Sequence, residues 1–196
     1  MKIYLMRHGE STDDIEDRYG GAHDDRLTAR GVEQTKELAK KLKDKGIQIV
    51  YSSPRMRAVE AAKIISGSLA VNLNIVENLK ERNNYGILTG LVKSEALLKY
   101  PNEVKRLEGG FNHPLVTDSE SYPDFSKRVI ESVWGITGNP EYSIIGIVTH
   151  GGPMCCIIRE ILKLGEVKGI DFCAVMTIDR TGDKISLTGS EGVIFE

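Results

Sequence analysis

Histidine and arginine recur at three matching places in the chain. Arg7-His8-Gly9-Glu10 follows the apolar run Ile3-Tyr4-Leu5-Met6. Ser52-Ser53-Pro54-Arg55-Met56-Arg57 closes a second run, and Thr149-His150-Gly151-Gly152 closes a third that begins at Ile144. If each run is a strand of one open α/β sheet, all three clusters fall at its carboxyl edge, where such sheets bind ligands. Arginine offers a planar fork that fits phosphate oxygens two at a time. Helices expected to open at Pro54 and Pro153 would add N–H groups and a positive dipole end. A phosphate dianion suits that edge. Gly151 and Gly152 would let the backbone come close to it. No acidic cluster stands ready for Mg²⁺ and no His-x-x-x-His pair suggests zinc, so the expectation is a metal-free site whose positive charge comes from side chains. Arg55 and Arg57 lie two apart on a helix and cannot both face one pocket, so one is expected at the surface.

The elements that must position these residues can be read from periodicity. Strands are expected at 3–6, 47–52, 71–76 and 144–149. A helix over 31–45 has Thr28 as its cap. Ser53 and Pro54 read as the N-cap and first residue of the next helix. Leu79 to Pro101 reads as loop and then helix from about Lys93, and Gly109-Gly110 as a break. A helix over 123–134 carries Phe125, Val129 and Val133 on one face. Met154, Ile157, Ile158, Ile161 and Leu162 repeat at helical spacing after His150 and read as core. Ala174–Ile178 and Lys184–Leu187 read as a closing strand and hairpin partner. Apolar runs alternating with helical segments predict an α/β fold, a three-layer sandwich with a mostly parallel sheet.

The 196 residues suit one domain spanning 1–196. A net charge of −2 gives no basic footprint, so neither nucleic acid nor an anionic membrane is an expected partner. No apolar stretch is long enough to span a bilayer, and the first apolar run is too short for a signal peptide; a cytoplasmic protein is expected. Cys155, Cys156 and Cys173 show no CxxC spacing and read as small core thiols.

Taken together, Arg7-His8-Gly9-Glu10-Ser11, Leu27-Thr28-x-x-Gly31, Ser52-Ser53-Pro54-x-x-Arg57-Ala58 and His150-Gly151-Gly152 resemble the histidine phosphatase superfamily, which includes the cofactor-dependent phosphoglycerate mutases. The matches run in the family's order from residue 3 to about residue 153. The resemblance implies a phosphoglycerate mutase-like fold and a phosphohistidine at His8. It also implies a phosphoryl group bound by Arg7, Arg57, His150 and Gly151, which selects Arg57 over Arg55. Glu81, in Leu79-x-Glu81, is similar to the family's proton donor. A neutral imidazole is required for attack, and the donor must be protonated when substrate binds, which burial and the phosphate's own charge would promote.

Within that resemblance the expected activity is phosphoglycerate mutase, interconverting 3-phosphoglycerate and 2-phosphoglycerate in glycolysis. Residues 81–93 are similar to a mutase stretch, with one extra residue between Arg82 and Tyr85, and imply Arg82, Tyr85 and Lys93 as substrate contacts; the resemblance adds Ser11, from the first motif, as a further one. Such a mutase would need 2,3-bisphosphoglycerate as primer. A phosphomonoesterase acting on a small phosphorylated metabolite is the alternative, and a non-catalytic phosphometabolite-binding protein the second. Three features weigh toward hydrolysis. The segment around Lys105-Arg106 lacks the mutases' paired arginines. Asp14 replaces a frequent Asn and would repel phosphate unless it turns away. Little chain follows the last hairpin to shield phosphohistidine from water. A homodimer is compatible with the sequence.

Overall fold

A computed structural model of the chain describes residues 1–108 and 114–196. The expected break at Gly109-Gly110 lies outside the described residues. Among the described residues the strands β1 (Lys2–Arg7), β2 (Ile49–Ser52), β3 (Asn72–Ile75), β4 (Ile144–Thr149), β5 (Val167–Thr181) and β6 (Lys184–Phe195) form one sheet in the order β3-β2-β4-β1-β5-β6. The first four in that order run parallel, and β5 and β6 are antiparallel additions.

Both faces of the sheet are covered, which is why its central strands read as continuous apolar runs rather than alternating ones. The alternation is still present, but it chooses between two cores. Ile3, Leu5, Ile145 and Ile147 face one layer, with Phe125 and Val129 of α6 (Tyr122–Thr137) and Met154 of α7 (Gly151–Cys156). Tyr4, Met6, Val50 and Val148 face the other, with Leu38 of α2 (Ala29–Leu42) and Ala58, Ala61 and Ala62 of α3 (Met56–Leu69). This is the expected α/β sandwich with a mostly parallel sheet. Short helices α1 (Thr12–Ile15), α4 (Lys93–Lys99) and α5 (Pro101–Arg106) complete the set used below. Among the described residues no helix is long and apolar enough to cross a membrane.

Three elements differ from the sequence expectation. Helix α3 begins at Met56, not Pro54, because the Asp24 carboxylate accepts from Met56 N at 2.8 Å and caps it there. Ser53 is therefore not its N-cap. The helix after His150 begins at the Gly151-Gly152-Pro153 segment as expected, but passes at Ile157–Ile161 into a π turn. The closing hairpin is far longer than expected, with 15 residues in β5 and 12 in β6.

Candidate active site

Register delivers the three clusters to one place. Arg7 pairs with Thr149 across β1 and β4, so the next residues, His8 and His150, emerge side by side. Their ring centroids are 5.0 Å apart, edge to face. Ser52 pairs with Val148 across β2 and β4, which sets Ser53 beside the same edge. Its hydroxyl lies 2.6 Å from His150 Nε2.

Two backbone contacts fix the loop that carries His8. Gly31, at the start of α2, packs directly on it: a Cβ there would overlap the Glu10 carbonyl oxygen and meet its carbon at 2.9 Å. Thr28 caps α2 by accepting from Gly31 N at 2.9 Å, and donates its own proton to Glu10 Oε1 at 2.7 Å. On the other side Cys173, in a β5 bulge with φ of 58°, donates its N–H to the His8 carbonyl.

His8 is buried, and its hydrogen bonds assign its tautomer. Nδ1 lies 2.7 Å from the Gly9 carbonyl, which can only accept, so Nδ1 carries the proton. Nε2 keeps its lone pair and accepts from Arg57 Nε at 3.1 Å. Burial, and next the charges of Arg57 and Arg7, hold the imidazole well below the ordinary histidine range. His150 is completely buried, and burial followed by Arg57, His8, Arg55 and Arg7 lowers it in the same way. Ser53 Oγ accepts from Arg55 N at 3.3 Å and lies within hydrogen-bond reach of His150 Nε2. His150 Nδ1 has no hydrogen-bond partner among the described residues.

The arginines are held just as firmly. Arg57 donates to the carbonyls of His23 (2.8 Å) and Gly21 (2.9 Å) and forms a buried ion pair with Asp25. Arg7 donates to the Ile170 carbonyl and lies over the Phe172 ring at 4.7 Å, while its Nε has no partner among the described residues. Arg55 is half-buried at the start of α3 and is not among the residues that line the cavity at this edge.

A cavity of about 410 Å³ opens at this edge. Arg7, His8, Ser11, Arg57, Glu81, Arg82, Tyr85, Lys93 and Gly151 all line it, whereas His150 does not. His150 is completely buried with its ring against that of His8. The Glu81 carboxylate accepts from Arg82 N at 2.8 Å and from Gly152 N at 3.0 Å. Each oxygen keeps a second lone-pair site, so the group can carry a proton without losing either bond. Gly152 N–H is thus committed to Glu81 rather than offered to an anion. A Cβ at Gly152 would overlap Oε1 of Glu81, whereas one at Gly151 would meet nothing within 4 Å. Gly152 thus packs closely against Glu81, and Gly151 faces open space at the cavity.

Asp14 lines the cavity but accepts from the Ser11 N–H (2.8 Å) and hydroxyl (2.7 Å). Arg82 donates through Nε and NH2 to the Glu120 carbonyl, both at 3.1 Å. Lys93 pairs with Asp17 at the exposed mouth. Among the described residues no group of three or more His, Cys, Asp or Glu is placed to hold a metal ion.

Sequence reasoning missed Asp25, Phe172, Glu120 and Arg128. The signal for Asp25 was available in principle, since a buried arginine needs a carboxylate partner. Nothing in the spacing selects Asp25 from its neighbours.

The family model for the histidine phosphatase superfamily (branch 1) matches residues 3–190. A Hydrogenobacter thermophilus protein provisionally named phosphoserine phosphatase 2 is 31% identical over 192 residues, 95% of this chain and 93% of that one. An Escherichia coli protein provisionally named phosphoglycerate mutase GpmB is 29% identical over 164 residues, 84% of this chain and 76% of that one. The crystal structure of the α-ribazole phosphatase from Shigella flexneri superposes with a TM-score of 0.85 at 23% identity, over 100% of this chain and 96% of that one.

Proposed function

The chain belongs to the histidine phosphatase superfamily, and we propose that within it the protein is a phosphomonoesterase, passing the phosphoryl group of a small phosphorylated metabolite to His8 Nε2 and then to water. The observation that carries this reading is the His8 hydrogen-bond pair. Gly9 O holds the proton on Nδ1, which leaves the nucleophilic lone pair on Nε2 beside Arg57.

The chemistry follows from the surrounding groups. Nε2 attacks phosphorus in line, the Nε2–P bond forms, and the ester P–O bond breaks. Arg57 Nε–H moves from His8 to a phosphoryl oxygen, and Arg7 Nε–H, which has no partner among the described residues, supplies a second donor. Such preset donors stabilise charge on the equatorial oxygens without reorganisation. Glu81 gives its proton to the leaving oxygen. In the second half, water attacks phosphorus, Glu81 takes the proton from that water, and the P–N electron pair returns to Nε2. No step draws on a metal ion, and EDTA should leave turnover unchanged.

Hydrolysis is favoured over mutase chemistry by what the cavity's cations already hold. A mutase must keep the carboxylate of phosphoglycerate in place while the phosphoryl group returns to it. Here Arg82 already gives Nε and one NH2 donor to the Glu120 carbonyl, and Lys93 pairs with Asp17 at the exposed mouth, so both cations are partly engaged by the protein. The second reading, a phosphoglycerate mutase primed by 2,3-bisphosphoglycerate, is supported by Arg82, Tyr85 and Lys93 lining the same cavity as His8. A paired assay on 3-phosphoglycerate, with and without 2,3-bisphosphoglycerate, separates the two when run beside a panel of phosphomonoesters including phosphoserine. Free phosphate without isomer is expected. Primer-dependent 2-phosphoglycerate with little free phosphate would replace this reading with the second.

A further inference from the structure

We propose that Arg128, gripped by Glu120, is the positioning residue that aims Glu81 into the cavity. The proposal rests on the reading of Glu81 as proton donor. Residues 80–82 lie in neither helix nor strand, so no regular ladder pairs their backbone groups. Buried or half-buried carbonyls in such a stretch need donors from elsewhere. Arg128, on α6, supplies them. Its NH1 donates to the carbonyl of Lys80 at 2.8 Å and its NH2 to the carbonyl of Glu81 at 3.2 Å, while the second NH1 donor reaches the carbonyl of exposed Asn78 at 2.8 Å.

The rest of the guanidinium is used as well. Nε and NH2 form a two-pronged pair with the Glu120 carboxylate at 2.6 and 2.8 Å. All five N–H donors of Arg128 therefore have acceptors, and its plane lies against the Phe125 ring at 5.0 Å. Glu120 in turn holds the residues just after Glu81. Its carbonyl accepts from Arg82 and its Oε2 accepts from Asn83 N at 3.3 Å. The chain is thus fixed on both sides of Glu81 by one ion pair. Thr149 adds a third tether, donating to the Leu79 carbonyl at 2.7 Å. A lysine could neutralise Glu120 but could not reach three carbonyls and a carboxylate in one plane, because only the guanidinium has five donors in a rigid fork.

A side chain that merely supported the fold would, on removal, slow every substrate alike. One that aims the proton donor has a different signature, because only poor leaving groups need the proton. Arg128→Ala, Arg128→Lys and Glu120→Gln are assayed on β-glycerophosphate, whose leaving group is an alkoxide, and on p-nitrophenyl phosphate, whose leaving group departs unaided. Glu81→Gln is the control. A misplacement of about 1 Å costs on the order of 10²-fold in rate, so Arg128→Ala should lower the alkyl-to-aryl kcat ratio by about that factor. Arg128→Lys should recover little of it, and Glu120→Gln should lower the ratio less. Millimolar guanidinium added to Arg128→Ala should raise the ratio again. Should Arg128→Ala fail to fold, Glu120→Gln and Arg128→Lys carry the test. Equal losses on both substrates, with Glu81→Gln still discriminating between them, would overturn the role of Arg128 alone. If Glu81→Gln itself shows no discrimination, the proton-donor reading falls and this proposal with it.

Discussion

Gly152→Ala should slow the turnover of alkyl phosphates while sparing the fold. The new methyl group would overlap Glu81 Oε1 and stand 3.0 Å from its Cδ, closer than ordinary carbon contact. One partner must yield. Gly152 sits in the first turn of α7 with its backbone fixed, whereas the Glu81 carboxylate is the end of a flexible side chain, so the carboxylate gives way by about 1 Å. A displacement of that size costs roughly 10²-fold, or about 2.7 kcal/mol in the barrier, on esters that need their leaving oxygen protonated. Stability should move little, because alanine in a helix is favoured over glycine by up to about 1 kcal/mol, which offsets the lost hydrogen bond to Gly152 N. Steady-state kinetics on an alkyl and an aryl phosphate, with a urea titration on the same sample, read both quantities. Wild-type turnover of the alkyl ester would refute the placement of Glu81. Global unfolding would refute the argument that the side chain yields first.

Two further outcomes follow from buried charge. Because the His8 and His150 imidazoles are held well below their ordinary range, the unfolded chain binds protons there that the folded chain does not. Their contribution to stability is therefore complete above about pH 6.5 and is lost as pH falls below it, by about 1.4 kcal/mol per pH unit for each histidine. Urea unfolding of wild type and His8→Gln should show that slope fall by about half; an unchanged slope would contradict it. Asp25→Ala should destabilise by about 3 kcal/mol or more, because it leaves the buried Arg57 charge uncompensated. Wild-type stability in that variant would show the pair to be dispensable.

How much of this was legible in the sequence differs by element. The strands β1 and β4 were readable because both faces are buried, which makes their runs continuous. Their carboxyl ends then placed His8 and His150 together without any knowledge of register. The hairpin was underestimated because residues 188–192, Thr-Gly-Ser-Glu-Gly, look like a turn. They nonetheless pair with β5, whose early part carries Ile170 and Phe172, the partners of Arg7. Ser53 read as a cap because Ser-Pro is a strong local helix start. The Asp24 carboxylate instead fixed the start at Met56, and the Ser53 hydroxyl serves His150. The counter-ions were invisible for a similar reason. Asp25 lies 32 residues from Arg57, and Glu120 lies 39 from Glu81, so no local pattern links them.

The central claim is that His8 carries the phosphoryl group. Rapid quenching of the enzyme with a ³²P-labelled phosphomonoester, followed by mapping of the label, tests it directly. Acid-labile label on His8 should appear in the wild-type enzyme within the first turnover and be absent from a folded His8→Ala variant. Turnover of the ester by wild type with no covalent label, or label and turnover surviving in His8→Ala, would contradict the account.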